Sequence, residues 1–227
     1  MKHHLFAAAA LGLAAIPSSV LADDVYLTWD GSRIHIGSIS EDETTITPGV
    51  RVFSGALGDP DQYTANDPGL MAVPGTFAFG TSTSFEFLQA ARKWNGSAFD
   101  SMPSGDAFHV YLGTLMSDTP LTDTIAPGLT IPVDANGQWH HHPFWQINAD
   151  ADFGMYLVTV DAFNSSTNLR SDPFWFVWDY EADPINPVNN VDGAVAWVNA
   201  NLVPTPGAAA LFVPLGIFGA RRRRQQD

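Results

Sequence analysis

The 227-residue chain contains no cysteine. That excludes a disulfide-stapled scaffold, a thiolate-liganded zinc site and a cysteine nucleophile. Charge is scarce as well: 15% of residues are charged and only ten are Lys or Arg. The formal net charge of −14 argues against nucleic acid or an anionic lipid surface as a partner. Half of the cations sit at the ends, as Lys2 and Arg221, Arg222, Arg223 and Arg224. Between Asp23 and Ala220 only five basic residues face 23 acidic ones, a balance of −18. No fixed-period repeat is present, which excludes a propeller or solenoid. There is no G-x-S-x-G elbow, no H-E-x-x-H and no phosphate-binding glycine loop. Choosing a glycosidase-type carboxylate pair among so many acids carries no information. The expectation is therefore a non-enzymatic protein. What the chain does hold is 45% hydrophobic residues, seven Trp and fifteen Phe. These suffice for one folded core and are too many for a disordered acidic tail.

The N-terminal segment reads MKHHLFAAAALGLAAIPSSVLA. Lys2 precedes an apolar run from Leu5 to Ile16, and Val20-Leu21-Ala22 places small residues at the −3 and −1 positions. This is a secretory signal-peptide pattern over residues 1–22, with cleavage expected before Asp23 by signal peptidase. His3 and His4 fall in the removed part. At the other end, Pro204-Thr205-Pro206-Gly207 precedes thirteen small or apolar residues, Ala208 to Ala220, and then four arginines. Thirteen helical residues cover about 20 Å, short of a hydrocarbon core of about 30 Å. Pro214 weakens such a helix further. The arginines stay cytoplasmic by the positive-inside rule. The segment suits a transient membrane hold better than a permanent anchor.

This three-part tail, Val203 to Arg224, resembles the PEP-CTERM sorting signal of Gram-negative-type bacteria, which a membrane enzyme called exosortase processes. Pro204-Thr205-Pro206 stands where Pro-Glu-Pro is usual, and resembles the neutral variant common in planctomycete-type genomes. The resemblance covers residues 203–227 only. It implies an exosortase-like processing partner, membrane contact through the hydrophobic segment before processing, and a cell-envelope, outer-surface or extracellular-matrix location.

Residues 23–202 read as an all-β domain. Short runs of β-branched and aromatic residues alternate with Gly, Pro, Asn and Asp. Strands are expected at 50–57, 83–94, 108–115, 129–133, 138–147, 155–163 and 173–178. A two-residue turn at Asp30-Gly31 pairs Trp29 with Ser32, Leu27 with Ile34 and Val25 with Ile36. Tyr26, Thr28, Arg33 and His35 then take the opposite, wet face. Residues 60–80, with Pro60, Pro68 and Pro74, read as a long surface loop. Asn95-Gly96 and Asn136-Gly137 read as turns, as does Asn164-Ser165. One helix is expected at 191–202, capped by Asp192, with Val195, Val198 and Leu202 on one face. The pattern predicts an antiparallel β-sandwich of jelly-roll or immunoglobulin-like type, with one short C-terminal helix before the sorting tail.

The only dense cluster of chemistry-bearing residues is Trp139-His140-His141-His142-Pro143-Phe144-Trp145. On a strand, His140 and His142 share one side, and Trp139, His141 and Trp145 the other. A two-residue turn at Asn136-Gly137 pairs Val133 with His140 and Ile131 with His142. If Ile131 and Val133 face the core, the two histidines point inward; if Trp139 and Trp145 do, the histidines lie on the surface. Histidines at i and i+2 chelate zinc or copper given further ligands, and His109 is the long-range candidate, with His35 behind it. Asp59/Asp61 and Asp150/Asp152 offer carboxylate pairs for Ca²⁺, but neither fits an EF-hand loop. Trp94, Trp145, Trp175 and Trp178 are candidates for stacking on sugar rings. The leading expectation is an exported surface or matrix protein without a cofactor. The alternatives are an extracellular zinc- or copper-binding module using His140, His142 and His109, and a glycan-binding or glycan-acting protein with a surface polysaccharide as partner.

Overall fold

A computed structural model describes residues 24–101, 107–181 and 189–204. The signal-peptide segment and the sorting-tail residues Thr205, Pro206, Gly207 and Arg221–Arg224 lie outside them. The first strands are β1 (Asp24–Trp29), β2 (Ile34–Ile39), β3 (Ile46–Pro48), β4 (Val52–Ala56), β5 (Thr64–Ala65) and β6 (Leu70–Ala72). Then come β7 (Ser82–Phe87), β8 (Arg92–Trp94), β9 (Phe99–Ser101), β10 (Phe108–Leu112), β11 (Leu115–Asp118) and β12 (Ala126–Pro132). The chain continues through β13 (Trp139–His141), β14 (Phe144–Ile147), β15 (Gly154–Asn164), β16 (Leu169–Arg170) and β17 (Phe174–Tyr180) to helix α1 (Val191–Asn201). The fold is the all-β sandwich expected, with one short helix after it. Among the described residues no helix is long and apolar enough to cross a membrane.

The strands form a five-stranded sheet (β13-β6-β1-β2-β3), a four-stranded sheet (β11-β10-β14-β5) and an eight-stranded sheet built on β12-β7-β15-β17-β4. Most pairings are antiparallel; β1 with β6 and β17 with β4 are parallel. Side chains from all three sheets make one continuous core, including Val25, Leu27, Phe85, Trp139, Trp145 and Trp178. Its centre is aromatic. The Trp145 ring lies 4.8 Å from Phe176, 5.3 Å from Trp178 and 5.6 Å from Phe85. β17 is buried at every position, because α1 covers its outer face. Val52, Leu157, Trp175 and Val177 pack there against Ala194, Val195 and Val198. A strand covered on both sides loses period-2 alternation and reads as a continuous apolar run.

Several local expectations shift. Asp30–Arg33 forms a four-residue loop, and Trp29 pairs with Ile34, Leu27 with Ile36 and Val25 with Ser38. The Asp30 carboxylate accepts the Ser32 and Arg33 backbone N–H groups, which widens the turn beyond two residues. The slip is an even number of residues, so each residue keeps its side of the sheet, but the side expected to be wet buries Tyr26 beside Ile39 and Met71, and Trp29 on the apolar side is exposed. Residues 60–80 are not a surface loop throughout: they contain β5 and β6, and Leu70 and Ala72 are buried. The helix is capped by the Asn190 side chain, which accepts the Gly193 N–H, with Asp192 in the first turn. Trp145, Trp175 and Trp178 are buried and offer no sugar-stacking face, and Trp94 is half-buried beside Phe99 and Trp197.

The two readings of the histidine run resolve in an unexpected way. Ile131, Val133, Trp139 and Trp145 are all buried, and His140 and His142 are on the surface. Both sets reach the core because 131–133 and 139–142 never pair. β12 joins β7 in the eight-stranded sheet, while β13 joins β6 in the five-stranded one. The turn between them bonds sideways instead: Gly75 N–H donates to Asn136 O and Phe77 N–H to Gly137 O. Gly137 takes φ +75° with the Phe77 carbonyl oxygen close by, where a Cβ has no room.

Candidate metal centre

β6 is the hinge of the site. It pairs in parallel with β1, setting Val25 opposite Leu70, and antiparallel with β13, setting His141 opposite Leu70. One step beyond that register, Asp24, Gly69 and His142 meet at the same end of the sheet. The Gly69 N–H donates to Asp24 Oδ1 at 2.7 Å. A Cβ on Gly69 would lie 2.7 Å from the His142 ring and 3.0 Å from Asp24 Oδ1, so only glycine leaves room for both. His140 stands two residues before His142, on the same side of the strand, with the rings 4.9 Å apart.

Three ligand atoms converge. His140 Nε2 is 2.8 Å from Asp24 Oδ2 and 3.0 Å from His142 Nε2, and His142 Nε2 is 3.8 Å from Asp24 Oδ2. A tetrahedral zinc with bonds of about 2.0–2.1 Å has ligand atoms about 3.3 Å apart. The triangle seen here brackets that edge. The outer ring nitrogens are also occupied. His142 Nδ1 is 3.0 Å from the Asn66 carbonyl oxygen, which can only accept, so Nδ1 donates there, and in the neutral imidazole that tautomer leaves the Nε2 lone pair for a metal. His140 Nδ1 is 3.4 Å from Glu43 Oε1. Carbonyl or carboxylate partners on the far nitrogen are the usual orienters of metal-bound histidine.

The local field favours a cation. Asp24 is almost buried and Asp67 Oδ1 lies 3.8 Å from His142 Nδ1. Burial first, and then the Asp24 charge, raise the Asp67 carboxyl above its ordinary value. His141 points the other way and stacks on Trp139. Burial, then His140 and His142, hold its pKa below the usual histidine value. Two imidazoles and one carboxylate suit zinc or copper; Ca²⁺ and Mg²⁺ prefer an all-oxygen shell. Three protein donors leave a fourth position for water or another ligand.

Among the described residues, Asp24, His140 and His142 are the only group of this kind. His109 is not in it. Its Nδ1 meets Asp118 Oδ1 at 2.7 Å and its Nε2 meets Asn148 Oδ1 at 2.8 Å. His35 bonds Asp30 at the first hairpin. Asp61 accepts hydrogen bonds within its own turn and Asp152 pairs with Lys93. Sequence reasoning missed Asp24, Gly69, Asn66 and Glu43. Asp24 counted only as one acid among many, and nothing local announces that β1 lies parallel to a strand 45 residues on.

His109 has a different consequence. Its hydrogen bond to Asp118 is the main cause that raises its pKa above 6.5. A raised folded-state value stabilises the fold fully below the unfolded pKa and ceases to do so as pH rises through the folded one. Asp118→Asn should therefore lower the thermal midpoint at pH 5.5 and leave it nearly unchanged at pH 9. Equal losses at both pH values would contradict the ion pair.

No protein-family model matches the chain, and no curated protein matches it.

Proposed function

We propose that the chain is an exported, non-enzymatic protein of the cell envelope whose β-sandwich holds one zinc or copper ion at Asp24, His140 and His142. The observation that carries the metal reading is the convergence of one carboxylate oxygen and two imidazole nitrogens, with acceptors already placed on the outer nitrogens. Export rests on the signal-peptide pattern before Asp23, and sorting rests on the resemblance of residues 203–227 to an exosortase substrate. Cleavage before Asp23 leaves Asp24 as the second residue of the mature chain. A bound metal then ties that new end to the strand that carries the histidines. Capture of a scarce metal outside the cell and stapling of the mature N-terminus are both served by this geometry.

One experiment reads export, sorting and metal binding together. The full chain is expressed in a bacterium with an exosortase-type system, recovered from the envelope and weighed by native mass spectrometry. The expected species starts at Asp23, lacks Arg221–Arg224 and carries one zinc or copper ion per chain. A chain that keeps the arginines overturns sorting. A metal-free chain after equilibration with zinc and with copper overturns the site.

A further inference from the structure

The body has five basic residues against 23 acidic ones, and three of the five are matched to acids of their own. Arg92 pairs with Asp123, Lys93 with Asp152, and Arg170 with both Glu86 and Asp161. Among the described residues the other two, Arg33 and Arg51, share a single carboxylate, Asp172. They do so at the wall of a groove of about 470 Å³, within the range of about 300–1,000 Å³ typical of small-molecule sites. Positive charge is thus in local excess at one cavity of a strongly acidic domain.

Arg51 is held in place. Its side chain is 13% exposed, its Nε–H and one terminal N–H donate to the Pro173 carbonyl oxygen, and its guanidinium carbon lies 5.1 Å from the centre of the Trp175 ring. The remaining nitrogen faces Asp172 at 3.8 Å, too far for a hydrogen bond. Burial lowers the Arg51 pKa below the usual guanidinium value, Asp172 raises it and Arg33 lowers it again. Arg33 is more exposed and bonds the same Asp172 oxygen. His35, which lines the groove, is engaged by Asp30. Tyr26 and Thr28 also line the groove, and Ile46 and Pro48 on the edge strand β3 add an apolar wall.

We infer that this groove binds a carboxylated sugar, its carboxylate seated between Arg33 and Arg51 and its ring against Ile46 and Pro48. Asp172 holds the position that the ligand carboxylate shares or takes over. Two guanidinium groups beside an apolar wall match a ring that carries a carboxylate at its rim and is apolar on its face. The groove uses none of the residues of the metal centre.

The test is calorimetric titration of the body, residues 23–203 in the exported form, with D-glucuronate at low salt and with EDTA present. D-Glucose and acetate serve as the neutral-sugar and bare-carboxylate controls. Glucuronate should bind saturably and both controls more weakly. Arg33→Gln should weaken glucuronate roughly fivefold, and Asp172→Asn should tighten it roughly fivefold, the upper range for one exposed charge pair. Equal binding of glucose overturns the role of the arginines, and equal binding of acetate overturns the sugar. No saturable binding, or a loss of affinity in Asp172→Asn, overturns the site. Because EDTA is present, none of these failures touches the metal proposal.

Discussion

Replacing His142 by Ala, or Asp24 by Asn, should lower zinc affinity by more than about 100-fold while leaving the metal-free fold intact. Losing an orienting partner of a metal ligand already costs about 10–100-fold, and these changes remove a ligand itself. His142 is exposed on the sheet surface, so its truncation opens no core cavity. Asp24→Asn keeps an oxygen for the Gly69 N–H, and removes both the charge and the Oδ2 lone pairs that face His140 and His142. Gly69→Ala touches no ligand atom, yet its Cβ would press on the His142 ring and Asp24. It should cost about 10–100-fold, like a lost orienting group. Zinc at about 100 times its Kd adds about 2.7 kcal/mol to stability, which in a domain of this size raises Tm by roughly 5–10 °C. That zinc-dependent rise should be present in the parent protein and absent in both ligand variants. A rise that persists in His142→Ala would place the metal elsewhere.

The largest effect on stability is expected at Trp145. Its ring is fully buried and touches Phe85, Phe87, Phe176 and Trp178, so it joins the four-stranded sheet to the eight-stranded one. Trp145→Ala should cost about 3–5 kcal/mol, a large part of a typical domain stability of about 5–15 kcal/mol. Trp145→Phe should cost clearly less. The Trp145 indole N–H has no partner among the described residues, so losing it leaves nothing unsatisfied. Urea denaturation of the two variants checks the order. Similar losses in both would contradict aromatic ring packing as the source of the stability.

The legible parts of this fold were the ones set by neighbours in sequence. Alternation and turn residues mark most strands, and Val195 and Val198 mark the buried face of the helix. The first hairpin is instructive, because a turn two residues longer than Asp30-Gly31 suggests changes every pairing yet keeps each residue's side of the sheet, while burial of Tyr26 and exposure of Trp29 come from what packs on it. The histidine run shows the opposite limit. A turn at Asn136-Gly137 is present, but a turn does not say that its flanking strands pair, and here they enter different sheets. Half of the metal centre follows from the i, i+2 spacing of His140 and His142. The other half depends on β1 lying parallel to β6, a non-local pairing that no short-range pattern encodes. His109 illustrates the same limit: alternation gives its face, whereas its sheet, and hence Asp118 and Asn148 as its partners, comes from tertiary topology.

Everything proposed for the site depends on Asp24, His140 and His142 binding one metal ion together. X-ray absorption at the zinc edge of the purified, zinc-loaded body tests it most directly. The spectrum should show two imidazole nitrogens at about 2.0–2.1 Å and oxygen donors completing a four-coordinate shell, with one imidazole lost in His142→Ala. A spectrum of six oxygen donors without imidazole scattering, or one unchanged by His142→Ala, would contradict it.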